Sequence, residues 1–117
     1  MRILISYEDS YHVYSDVMES ALRGLRPEVE VAACRLGVIG EQVEIFDPHL
    51  VVSSRPNTVD PGGRAAWYEL SPEPDDPSES CLQGVRTRRP NPRLEELLSF
   101  VDEVEALVGS GRELGGC

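Results

Sequence analysis

Two hydrophobic periods alternate along the first half of the chain, and this constrains the fold more than any other feature. Arg2 to Ser6 is a short apolar run suited to a buried strand, and Tyr7-Glu8-Asp9-Ser10 interrupts it with residues that start helices. Val13, Val17, Ala21 and Leu25 then recur every four residues, flanked by Tyr14, Met18 and Leu22, which predicts a helix that buries this stripe. Pro27 ends the helix. Glu28 to Ala33 alternates charged and apolar residues with Val29, Val31 and Ala33 on one side, the pattern of a half-exposed edge strand. A shorter helix follows, with Ile39, Val43 and Phe46 inward and Glu41 and Glu44 outward, and Asp47-Pro48 stops it. Leu50-Val51-Val52 is apolar without alternation, as expected of a strand covered on both faces. Right-handed crossovers then set the strand order 2-1-3 and send the two helices to opposite faces.

The second half is less regular. Residues 55–64 hold two prolines and Gly62-Gly63 and read as a loop, whereas Ala65 to Leu70 reads as a strand. The acidic, proline-rich stretch 71–80 is a connecting loop, and Cys81 to Val85 is a further short strand. That loop length favours an antiparallel pairing of Trp67–Leu70 with Cys81–Val85. Trp67 and Tyr68 point to opposite faces of a strand, so one of them is expected to be exposed, at an interface such as a homodimer contact. Asn91 as N-cap and Pro92 in the first turn open the clearest helix, with Leu94, Leu97, Leu98, Val101, Val104, Leu107 and Val108 on its apolar face. The expected fold is thus α/β: a three-layer open sheet with a parallel βαβαβ amino-terminal half in the order 2-1-3, a mixed or antiparallel second half and a carboxyl-terminal amphipathic helix. Residues 1–109 form one domain and 110–117 a frayed tail, consistent with a chain of 117 residues.

Composition removes several functions. The net charge of −10 disfavours nucleic acid and anionic membrane as partners. All 11 basic residues are arginine, so Schiff-base chemistry, a P-loop and a lysine general base are excluded. No apolar run reaches the roughly 18 residues of a membrane span, and the start lacks a signal-peptide pattern, which places the protein in the cytoplasm. Cys34, Cys81 and Cys117 are too widely spaced for a zinc site or a disulfide framework; core packing accounts for Cys34 and Cys81, and Cys117 reads as an exposed thiol. His12 and His49 have no partner at ligand spacing, and no metal is expected. Arg86, Arg88, Arg89 and Arg93 form the basic cluster, which nearby acids such as Asp75 and Asp76 neutralise or an acidic protein partner docks on.

In an open parallel sheet, ligands collect outside the carboxyl ends of the strands where the strand order reverses. Two polar segments are expected there, Tyr7, Glu8, Asp9 and Ser10 after the first strand and Ser54, Arg55, Asn57, Thr58 and Arg64 after the third. Arg55 and Arg64 can clamp an anionic small molecule over the first helix, or Arg55 can pair with Glu8 or Asp9. Glu8 and Asp9 would repel a phosphate there, which disfavours FMN, and no Gly-x-Gly-x-x-Gly is present for a dinucleotide, so no cofactor is expected.

The chain resembles the receiver domain of bacterial response regulators. The resemblance rests on Arg2-Ile3-Leu4-Ile5 followed by Glu8-Asp9, on Asp47-Pro48-His49-Leu50-Val51-Val52 leading into a polar loop, and on Arg89-Pro90-Asn91-Pro92 before the last helix. Ser54 stands where that family carries its phosphorylated aspartate, Arg89 where it carries a lysine, and Tyr7 and Glu8 where two acids bind magnesium. The resemblance therefore implies a degenerate, non-catalytic module that acts in regulation or protein interaction; the alternative is a binding protein or enzyme acting on an anionic small molecule.

Overall fold

The computed structural model describes residues 1–8, 12–53, 65–70, 77–89 and 94–116. Its elements are β1 (Arg2–Tyr7), α1 (His12–Leu25), β2 (Glu30–Arg35), a 3₁₀ turn (Leu36–Val38) running into α2 (Ile39–Phe46), β3 (Leu50–Ser53), β4 (Ala66–Glu69), β5 (Ser78–Leu82), β6 (Val85–Arg89) and α3 (Leu94–Gly109). They build an α/β fold around one 6-stranded mixed sheet in the order β2-β1-β3-β4-β5-β6. β2, β1, β3 and β4 run parallel, and β5 and β6 are antiparallel additions. The expected order 2-1-3 and the antiparallel pairing after β4 are both present.

Alternation along each strand divides the core. Ile3, Ile5, Leu50, Val52 and Tyr68 pack with Met18 and Leu22 of α1 and Leu97, Phe100, Val101 and Val104 of α3. Leu4, Val51, Trp67 and Cys81 pack instead with Ile39, Val43 and Phe46 of α2. α1 and α2 thus lie on opposite faces. Trp67 and Tyr68 are both buried, at 5% and 1% exposure, which corrects the expectation of one exposed ring. A sheet covered on both faces hides either parity, and the Tyr68 ring closes edge-to-face on Phe100 with centroids 5.1 Å apart.

Three further sequence expectations change. On α1 the buried side chains include Ser15, Met18 and Leu22, whereas Val13 and Val17 are 63% and 64% exposed and Leu25 is 49% exposed. The apolar surface of this helix is wider than one stripe, and docking against β1, β2 and α3 selected the longer Met18 and Leu22. Ala33 is exposed although Val29 and Val31 are buried. The segment read as one strand from Cys81 to Val85 contains the turn of a hairpin: Gln83 (φ 53°) and Gly84 (φ 78°) are both left-handed, as a two-residue type I′ turn requires. Glutamine is an unusual first residue for that turn, so only the glycine signalled it.

Two contacts fix the element ends. Asp47 takes a left-handed conformation and its N–H donates to the Val43 carbonyl at 3.1 Å, a C-cap that Pro48 then prevents from continuing as helix. His49 next locks β3 between its neighbours. Its Nδ1 accepts the Arg2 amide at 2.9 Å, its own N–H donates to the Arg2 carbonyl at 2.9 Å, and its carbonyl accepts the Ala66 amide at 3.0 Å. Across the other side of the molecule, Arg26 at the end of α1 binds Asp102 of α3 with both prongs, at 2.7 and 2.9 Å.

Candidate functional site

The parallel register brings the carboxyl ends of four strands to one edge. Cys34 pairs with Ser6, Ser6 with Ser53, and Ser53 with Glu69. Each lies two residues beyond, or within, the set that packs on α2, so their side chains share that face of the sheet and form a polar row at its rim. Ser6, Ser53 and Cys34 are buried, at 1%, 4% and 9% exposure, and Glu69 is half-buried. Cys34, Ser6 and Ser53 each follow or end a short apolar run and Glu69 interrupts one before Leu70, which is the signal in the sequence that marks them; their alignment depends on strand register.

The chemistry of this row is mild. Burial pushes the Cys34 thiol upward, against a smaller opposing effect of the neighbouring Ser6 hydroxyl, so Cys34 is a thiol and a weak nucleophile at neutral pH. Ser6 Oγ lies beside that sulfur, yet no hydrogen bond of acceptable geometry satisfies it. Ser53 and Glu69 are both engaged with neighbours. Among the described residues, no group of three or more His, Cys, Asp or Glu side chains is placed to hold a metal ion.

A small cavity opens at the same edge on the α1 face. Ile5, Tyr7, Met18, Val52 and Leu70 contribute to its walls, together with Ser15 near the start of α1. Its volume is about 10 Å³, room for a single water-sized group. Ser15 is 2% exposed and its hydroxyl has no hydrogen-bond partner among the described residues. An unsatisfied buried hydroxyl costs roughly 1–3 kcal/mol, so its retention beside a cavity asks for an explanation.

Of the site residues expected from the sequence, Tyr7 ends β1 and lines this cavity. Glu8 follows it, half-buried and already engaged. Asp9, Ser10, Ser54, Arg55, Asn57, Thr58 and Arg64 lie outside the described residues, as do Cys117 and the Asn91-Pro92 helix start. The loops holding most of them nevertheless leave β1 and β3 from the same edge, since Ser6 and Ser53 are paired in parallel strands. The sequence reading missed Ser15. It lies off the valine stripe of α1, and only the rotation of that helix turns it inward.

Comparison with protein families, curated proteins and solved structures finds no match. No helix among the described residues is long and apolar enough to cross a membrane.

Proposed function

We propose that the protein is a non-catalytic regulatory module that takes its input by binding a small anionic molecule over the carboxyl ends of β1 and β3. The observation that carries this reading is the Ser15 hydroxyl, buried near the start of α1 without a partner among the described residues, on a residue that borders the small apolar cavity between those strand ends. A water in so small and mostly apolar a space would lack the two to four partners that hold buried water. One polar atom of a ligand anchored from outside supplies the missing acceptor. The first turn of α1 offers its free amides to the same anion, and Arg55 and Arg64 in the loop after β3 provide the countercharge that a chain of net charge −10 otherwise lacks.

The resemblance to receiver domains supports a regulatory role through the parallel half of the sheet, with helices on both faces in a three-layer arrangement. The output is contact with a protein partner or a second copy, in the cytoplasm. The exposed Val13 and Val17 on α1, the helix that borders the ligand crevice, are the natural route from input to output.

Thermal-shift measurements with phosphorylated and carboxylated metabolites test the proposal. The expected result is a rise in Tm with at least one of them, lost in Ser15→Ala and in Arg55→Gln. A panel that leaves the wild-type melting curve unmoved would overturn the binding claim. Labelling of a carboxylate by acetyl phosphate with magnesium would overturn the non-catalytic one.

A further inference from the structure

The hairpin of β5 and β6 is held at its tip. The carboxyl-terminal segment, expected to fray, is seated there: Leu114 is 6% exposed and joins the core, and its carbonyl accepts the Gln83 amide at 2.7 Å. Gly116 lies against Gly84, where a Cβ on Gly116 would meet the Gly84 Cα and N at 3.4 Å. Within β5, Cys81 is fully buried and disulfide-bonded, which corrects the reading of it as a reduced core thiol. β6 pairs with β5 on one side and, among the described residues, ends the sheet on the other.

The turn at Gln83-Gly84 sets which backbone groups β6 turns outward. It joins Leu82 and Val85 as a hydrogen-bonded pair, so Cys81 with Arg86 is a non-bonded pair, Ser80 with Thr87 a bonded one, and Glu79 with Arg88 again non-bonded. The N–H and C=O groups of Arg86 and Arg88 consequently point away from β5, along the outer edge. Alternation places both side chains on one face of the sheet. On that face the Arg86 guanidinium lies 5.3 Å over the Trp67 ring and donates to Glu79 at 3.3 Å, while its side chain stays 59% exposed. Arg88 is exposed as well. Residues 78–89 hold three arginines against one glutamate, a local charge of +2 in a chain of net charge −10.

We propose that the outer edge of β6 receives an added strand from an acidic protein partner, carrying two carboxylates separated by one residue. This surface is separate from the anion site, and nothing in it rests on that reading. A second copy does not fit: an antiparallel pair centred on Thr87 would set Arg86 of each copy against Arg88 of the other, and like charges directly opposite destabilise a sheet. The arginines thus block self-pairing at an edge that would otherwise template it, and select a strand of opposite charge. The added strand runs antiparallel, the more stable pairing per residue. Its two acidic residues lie opposite Arg86 and Arg88, exchange main-chain hydrogen bonds with them and set their carboxylates beside the guanidiniums. The residue between faces Thr87 and turns its own N–H and C=O away. Main-chain bonds supply the affinity and the charges the selectivity.

The test titrates the full chain, labelled with nitrogen-15, with the peptide acetyl-Thr-Glu-Val-Glu-Thr-amide at low salt. At saturation the Arg86 and Arg88 amides are expected to gain hydrogen-exchange protection, which the Val85 and Thr87 amides already have through β5. The Gln-Val-Gln version of the peptide should bind about 2- to 30-fold more weakly, the range of two opposite-charge cross-strand pairs. Arg88→Gln should lose part of that preference at unchanged Tm. N-methylation of the peptide's valine, whose amide faces outward, should leave binding intact, whereas N-methylation of either glutamate should abolish it. Four results would each overturn the proposal: no binding of the parent peptide, equal binding of the Gln-Val-Gln peptide, binding that survives N-methylation of a glutamate, or an Arg88 amide protected in the free protein and released on dilution, which would mean that a second copy occupies the edge.

Discussion

Replacing Ser15 by alanine should stabilise this protein, which is the reverse of what most substitutions at a 2%-exposed position do. The hydroxyl is buried without a partner among the described residues, and releasing it recovers about 1–3 kcal/mol on the scale of protein mutational data. Alanine is also the better helix former, by about 0.5 kcal/mol. Against this stands the slightly larger void left beside a cavity of about 10 Å³, a small loss because only one oxygen is removed. The net expectation is a gain of about 1–2 kcal/mol, read as a rise of roughly 5–10 °C in Tm and a higher urea midpoint at unchanged m. The gain should come with loss of ligand response, the trade expected where a site is held in an unsatisfied state for binding. A Ser15→Ala protein that melts at or below the wild-type temperature would refute the reasoning, because it would mean the hydroxyl is already satisfied in the free protein.

Three other outcomes follow from the fold. Burial, aided by the charges of Arg2 and the amino terminus and opposed by Asp47, lowers the His49 pKa from its usual 6.5; Nδ1 meanwhile accepts the Arg2 amide. The depressed value means this stabilisation is fully present above pH 6.5 and is lost as pH falls through the folded-state value, so urea midpoints should drop on acidification more steeply in wild type than in His49→Gln. Asp102 is held below 3.8 chiefly by the hydrogen bond from Arg26, so Asp102→Asn should lower Tm slightly at pH 7, with the difference vanishing as the wild-type carboxylate protonates in acid. Leu22→Ala should cost about 2–5 kcal/mol and Val17→Ser under about 0.5 kcal/mol in chemical denaturation, and equal effects would contradict the rotation of α1.

The strand, helix, strand, helix, strand order was legible in the chain itself because its causes are local. Period two in Glu28 to Ala33, helical spacing in α2 and the stop at Asp47-Pro48 act within a few residues of one another. Parallel pairing of β1 with β3 followed from crossover handedness, and with it the common edge from which the candidate site is built. Tertiary structure alone decided three things. It chose which of two apolar stripes α1 buries, and so turned Ser15 inward; it aligned Cys34, Ser6, Ser53 and Glu69 through strand register; and it folded Leu114 back onto a hairpin tip 31 residues earlier in the chain. Each depends on contacts between residues remote in sequence, where the gain comes from filling a shared space, and local spacing carries no record of that space.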